Sequence, residues 1–122
     1  MSDSQAIDES VVRDLTAFQQ RILTILAEEP RYGLAIKREL EAYYDDEVNH
    51  GRLYPNLDDL VTMGLVEKSE LDKRTNEYRL TDAGLDAVVA QLEWTLRHFV
   101  TDEDRADQVR ELIEKQRVTA QQ

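Results

Sequence analysis

Residues 49–84, NHGRLYPNLDDLVTMGLVEKSELDKRTNEYRLTDAG, constrain the fold more than any other stretch of the chain. Leu53, Leu57, Leu60 and Val61 recur at helical spacing, and Asn49 stands where an N-cap belongs. Gly64 closes that helix as a C-terminal glycine should. Leu65–Leu71 then alternates as a strand, Asp72-Lys73-Arg74-Thr75 turns, and Asn76–Leu80 alternates back with Tyr78 and Leu80 on one side. Thr81 or Asp82 caps the next helix. A bare hairpin is marginal in water, so this one must lean on helices. Pro55 sits awkwardly, because proline is comfortable only in a first helical turn. Either the helix starts near Arg52 or its first turn is bent.

The flanks supply those helices. Leu15, Phe18, Ile22, Ile25 and Leu26 share one face and predict a helix over about 13–28, ended by Pro30. Arg31-Tyr32-Gly33 reads as a tight connector, with Gly33 free to take a backbone conformation other residues resist. A second helix follows, with Leu34, Ile36, Leu40, Tyr43 and Tyr44 as its apolar stripe and Lys37, Arg38, Glu39 and Glu41 on its wet side. Asp45-Asp46-Glu47 reads as a loop. Beyond the hairpin, Leu85, Val88, Val89, Leu92, Leu96 and Phe99 line one face of a long helix, and Ala87, Ala90, Trp94 and His98 form a partial second stripe. A helix apolar on two sides needs two neighbours, here its own domain and the same helix of a second subunit. Thr101 is the expected cap of a short acidic helix, about 102–117, with Val109, Leu112 and Ile113 as its apolar edge.

The order helix, helix, helix, hairpin, helix, helix predicts a mainly α chain with a small β-hairpin: a winged helix-turn-helix plus C-terminal dimerisation helices. The expected divisions are a flexible segment 1–12, a DNA-binding domain 13–81, dimerisation helices 82–117 and a tail 118–122.

Composition removes other classes. The chain has no cysteine, which excludes disulfides, thiolate metal sites and cysteine nucleophiles. His50 and His98 are the only histidines and fall on different elements, and Asp45-Asp46-Glu47 lacks the spacing of a calcium loop, so no metal is expected. Ser2, Ser4, Ser10 and Ser69 lie in no nucleophile elbow, and no glycine-rich loop cradles a phosphate. The expectation is a non-enzyme without a cofactor. No apolar run reaches membrane-span length, and MSDSQAIDES lacks a signal peptide's basic and apolar regions, so a cytoplasmic protein is expected.

Charge carries a tension. The 122 residues hold 26 acids against 15 bases, a net charge of −11, whereas phosphate binding wants a basic surface. Yet residues 30–80 carry only −3 and the flanks −8, and residues 48–57, VNHGRLYPNL, hold no acid. There are 4 lysines beside 11 arginines. An acid-rich, lysine-poor surface suits near-molar salt, where repulsion is screened and hydrated carboxylates maintain solubility. The start of a third helix in this topology points into the major groove. Asn49, His50, Gly51, Arg52, Tyr54 and Asn56 are therefore candidate DNA contacts, joined by Tyr32, Gly33 and Lys37 at the second helix and by Lys73 and Arg74 on the hairpin tip. The partners expected are double-stranded DNA, a second copy of the chain, and potassium or other cations held between carboxylates and phosphates.

Four motifs in order carry a family resemblance: Tyr32-Gly33; Leu53-Tyr54-Pro55-Asn56-Leu57; Gly64-Leu65-Val66; and Tyr78-Arg79-Leu80-Thr81-Asp82-Ala83-Gly84. Over roughly residues 15–100 the chain resembles the PadR-like winged-helix transcription regulators. Its acidic surface is most similar to haloarchaeal members, among them regulators of the reactive-oxygen response. The resemblance implies a homodimeric DNA-binding repressor or activator whose C-terminal helices make the dimer. Leu85, Val88, Val89, Leu92, Trp94, Leu96, Phe99, Val109, Leu112 and Ile113 are the interface expected here, with Trp94 and Phe99 as anchors. Arg52 departs from the pattern, which has a small polar residue after the motif glycine, and the wing carries less positive charge than many relatives. The rival reading is a winged-helix module that binds a protein partner and no nucleic acid. The acidic surface favours it; the acid-free helix start and the Lys73-Arg74 tip oppose it.

Overall fold

The computed structural model describes residues 14–70 and 75–120. The expected segment 1–12, Lys73 and Arg74 at the hairpin tip, and residues 121–122 lie outside the described residues. The elements in order are α1 (Ala17–Glu28), β1 (Arg31–Tyr32), α2 (Gly33–Tyr44), α3 (His50–Thr62), β2 (Val66–Glu70), β3 (Asn76–Leu80), α4 (Asp82–Phe99) and α5 (Glu103–Ala120). This is the winged helix-turn-helix arrangement expected, with one addition: β1 joins the hairpin, and the antiparallel sheet runs β1-β3-β2. Arg31 pairs with Tyr78 and Tyr32 with Glu77. The supposed connector is thus an edge strand.

Capping chemistry sets the helix bounds. Thr16, not a residue near 13, starts α1 through a capping box with Gln19: each side chain accepts the other's backbone N–H, both at 3.1 Å. Asn49 caps α3, its Oδ1 accepting from the Arg52 N–H at 2.9 Å. Since α3 begins at His50, the later start proposed to accommodate Pro55 is excluded; the proline lies in the second turn and offers no N–H to the Gly51 carbonyl. At the other end the Leu65 N–H donates to the Leu60 carbonyl and the Gly64 N–H to the Val61 carbonyl, each at 3.0 Å. Gly64 carries the turn at φ +80°, a conformation nearly free for glycine.

The first compact unit ends at Val89. Its core is built from Ile22, Ile36, Leu40, Leu53, Leu57 and Leu60, all fully buried, with Tyr78 closing the sheet side. Leu34 and Tyr43, expected on the buried stripe of α2, are exposed. Ile36 and Leu40 occupy that stripe alone, beside half-buried Tyr44. Two motifs meet at the wing root. Thr81 Oγ1 donates to the Gly64 carbonyl at 2.7 Å and accepts from the Gly84 N–H at 3.0 Å. The Thr81 N–H donates to the Leu65 carbonyl at 3.1 Å. The Gly64-Leu65 and Leu80-Thr81-x-x-Gly84 motifs are therefore one junction, tying the end of α3, the start of β2 and the start of α4.

The second unit, from Ala90 onward, holds the rest of α4 and all of α5. Asp102, rather than Thr101, caps α5, accepting from the Arg105 N–H at 2.9 Å. The helix runs to Ala120, so residues 118–120, expected as tail, are helical. No residue of α5 is buried. Among the described residues, no helix is long and apolar enough to cross a membrane.

Candidate nucleic-acid interface

Asn49, His50, Gly51 and Arg52 are all exposed at the start of α3. His50 meets the Tyr54 ring edge-on at 5.5 Å between centroids. The Arg52 guanidinium lies 4.0 Å above the Phe18 ring and 5.8 Å from that of Tyr44. Stacking uses the flat face of the guanidinium and leaves its in-plane donors for another partner. Phe18 and Tyr44 are themselves stacked at 6.1 Å, so α1 and α2 together form the floor that aims Arg52.

Two expected contacts are engaged internally. Asn56 Oδ1 accepts from Gln19 Nε2 at 3.1 Å, and its Nδ2 donates to the Arg52 carbonyl at 2.8 Å. That amide clamps α1 to α3. Lys37 pairs with Glu41 at 2.7 Å, and the same Glu41 oxygen accepts the Val48 N–H at 3.0 Å. Lys37 thus helps secure the turn before α3.

These bonds also make Glu41 an acid-sensitive tie. The hydrogen bond from Lys37, and next that from Val48, hold its carboxyl below its ordinary value of 4.5. Such a group stabilises the fold fully above that value, and the contribution is lost as pH falls through the depressed one. The acid limb of the melting temperature, followed below pH 4.5, should therefore be steeper in the parent than in Glu41→Gln. Parallel limbs would remove the tie.

Tyr32, Gly33 and Tyr54 do come together. Gly33 has no unusual backbone angle; a Cβ there would stand 2.6 Å from the Tyr54 hydroxyl, so a larger residue would require the Tyr54 ring to shift. The Tyr-Gly and Leu-Tyr-Pro motifs are thus a single contact between α2 and the putting-down point of α3. Beside it opens a groove of about 450 Å³, whose walls include Tyr32, Leu34, Arg38, Tyr54 and Asn76. Arg38, absent from the expected contacts, also lines this groove. Its signal is positional: it follows exposed Leu34 by four residues, so the two share a helix face.

In the second unit, Leu92, Leu96, Phe99, Val109, Leu112 and Ile113 line an apolar groove of about 390 Å³. Leu112 and Ile113 are each 56 % exposed. Trp94 is also exposed and packs on His98 at 4.3 Å between ring centroids. Of the remaining interface candidates, Leu85 and Val89 are exposed, while Val88 packs against the core. Among the described residues no cluster of His, Asp and Glu could hold a metal ion.

Three helices, the third with an exposed polar start, followed by a sheet-backed hairpin define a winged helix-turn-helix protein. The chain belongs to the PadR-like family of transcriptional regulators, a non-enzymatic class, and residues 22–90 match that family. The haloarchaeal resemblance leads to RosR of Halobacterium salinarum. The structure of that protein grown from NaBr is 68% identical, with a TM-score of 0.87, covering 88% of this chain and 98% of that one. The complex structure hsRosR-S4 is also 68% identical, with a TM-score of 0.89, covering 91% and 96%. A homodimeric winged helix-turn-helix DNA-binding domain from Mycobacterium bovis shares the fold at 21% identity, with a TM-score of 0.61, covering 76% and 80%. Comparison with curated proteins returned no match.

Proposed function

We propose that the protein is a sequence-specific DNA-binding regulator that acts as a homodimer on a pseudo-palindromic operator in a high-salt cytoplasm. The observation that carries this reading is the exposed, acid-free start of α3, presenting Asn49, His50, Gly51 and Arg52 from a body of charge −11. Two such helices one DNA turn apart, about 34 Å, would read the two half-sites. The likeness to RosR supports a place in an oxidative-stress response. With no cysteine present, that response does not run through thiol chemistry.

The acidic surface dictates an unusual salt dependence. An ordinary DNA-binding protein displaces cations from DNA, so its affinity falls steeply as salt rises. Near molar salt that entropy gain vanishes, and cations held between carboxylates and phosphates screen their repulsion. Mobility shifts on genomic fragments from low to high potassium chloride test this. Affinity should change little or improve with salt, and Arg52→Ala should lose about tenfold in discrimination between sites. A steep monotonic loss with salt would overturn cation retention. Failure to shift any fragment would overturn DNA binding and leave the protein-partner reading, which the acidic surface favours.

A further inference from the structure

The first turn of α3, which presents Arg52, is weak by itself. Gly51 is a poor helix former, and Pro55 leaves the Gly51 carbonyl without its ladder donor. The Asn49 cap secures the turn from within. Its other supports come from Phe18 and Gln19, adjacent residues at the start of α1 that are 4% and 6% exposed. Gln19 is the only buried polar residue among those described. Its Oε1 accepts the Thr16 N–H and its Nε2 donates to Asn56 Oδ1, both at 3.1 Å. Asn56 Nδ2 then donates to the Arg52 carbonyl at 2.8 Å. A backbone donor stands at one end of this series and a backbone acceptor at the other, so both amides can point only one way. Phe18 lies beneath Arg52, its ring 4.0 Å from the guanidinium.

A free arginine samples many rotamers in water. A ring under the guanidinium plane favours those in which the in-plane donors face outward. We infer that Phe18 and Gln19 are positioning residues for base reading. Gln19 fixes the backbone of the first turn through Asn56, and Phe18 fixes the guanidinium plane of Arg52. Operator discrimination then depends on two core side chains of α1 that act through α3. The inference rests on the DNA-binding reading and names what holds its reading residue in place.

Phe18→Leu and Gln19→Glu test it. Leucine refills the apolar space without offering a ring face. Glutamate keeps the capping box with Thr16 but has no proton to donate to Asn56. Gln19→Met removes the same bond without burying a charge. Affinity is read in molar potassium chloride on the genomic fragment the parent shifts most tightly and on a scrambled duplex of equal length. Circular dichroism confirms that each variant is folded at the temperature used. Each variant should lose about two- to fivefold in the ratio of the two affinities, the worth of one cation–π contact or one neutral hydrogen bond. In an Arg52→Ala background, Phe18→Leu should cost no further discrimination, because the ring has nothing left to aim; a merely structural loss would be the same in both backgrounds. An unchanged ratio in Phe18→Leu, or a loss that persists in Arg52→Ala, would overturn the role of Phe18. An unchanged ratio in Gln19→Glu and Gln19→Met would overturn that of Gln19. If the parent itself shifts no fragment, the underlying reading fails instead.

Discussion

On the homodimer proposed above, replacing Leu112 and Ile113 together by glutamate should leave a 14.2 kDa monomer and lower operator affinity by about a hundredfold or more. Both side chains line the apolar groove of the second unit, and each is about half exposed in the single chain. Together with Leu92 and Phe99 they form a cluster of exposed large apolar side chains along one groove. Twofold symmetry counts each substitution twice, and burying one such side chain is worth about 1.5–3 kcal/mol. Four lost contacts at that rate amount to about 6–12 kcal/mol, before the cost of four introduced charges. The affinity loss follows because a half-site bound alone forfeits the effective concentration that linkage to the other half supplies. Light scattering reads the mass, and circular dichroism reads the winged-helix fold, which should persist because α5 contributes no buried residue. A variant that stays dimeric would place the subunit contact elsewhere.

The fold was legible where a periodic pattern ran into a strong punctuation mark. Leu53, Leu57 and Leu60 between Asn49 and Gly64 located α3, because cap and closing glycine are local chemistry, while Pro55 left its start open. Strand β1 was not legible: two residues cannot show an alternation, and their partners, Tyr78 and Glu77, lie more than forty positions away. The site divides in the same way. The exposed start of α3 follows from topology and an acid-free run. The engagement of Asn56 depends on Gln19, 37 residues distant, and no local pattern announces it. Lys37 and Arg38 are adjacent cations on a helix, pointing about 100° apart. Only the position of Glu41 and Val48 decides that the first is internal and the second faces the groove. The end of α5 was misplaced for a simpler reason: a helix with no buried face has no stripe whose last residue marks its end.

Gly84→Ala should destabilise the winged-helix unit by about 2–3 kcal/mol, although alanine is the better helix former by about 1 kcal/mol. A Cβ at Gly84 would be driven into the Leu65 carbonyl oxygen, with Leu80 Cδ2 at 2.9 Å and the Leu65 carbonyl carbon at 3.1 Å. A flexible side chain could turn aside; this backbone oxygen is held, because it accepts the Thr81 N–H at 3.1 Å. Moving Thr81 disturbs its hydroxyl, which bridges the Gly64 carbonyl and the Gly84 N–H. The overlap can thus be relieved only by parting α4 from β2 or by opening the closure of α3. Either route strips bonds from groups at the wing root. For a domain of this size the loss corresponds to a fall of about 10–20 °C in melting temperature. Thermal melts of parent and variant in molar potassium chloride measure it. A variant that melts at or above the parent's temperature would mean that helix propensity wins, and that the close approach of Gly84 to Leu65 is not what joins the wing to α4.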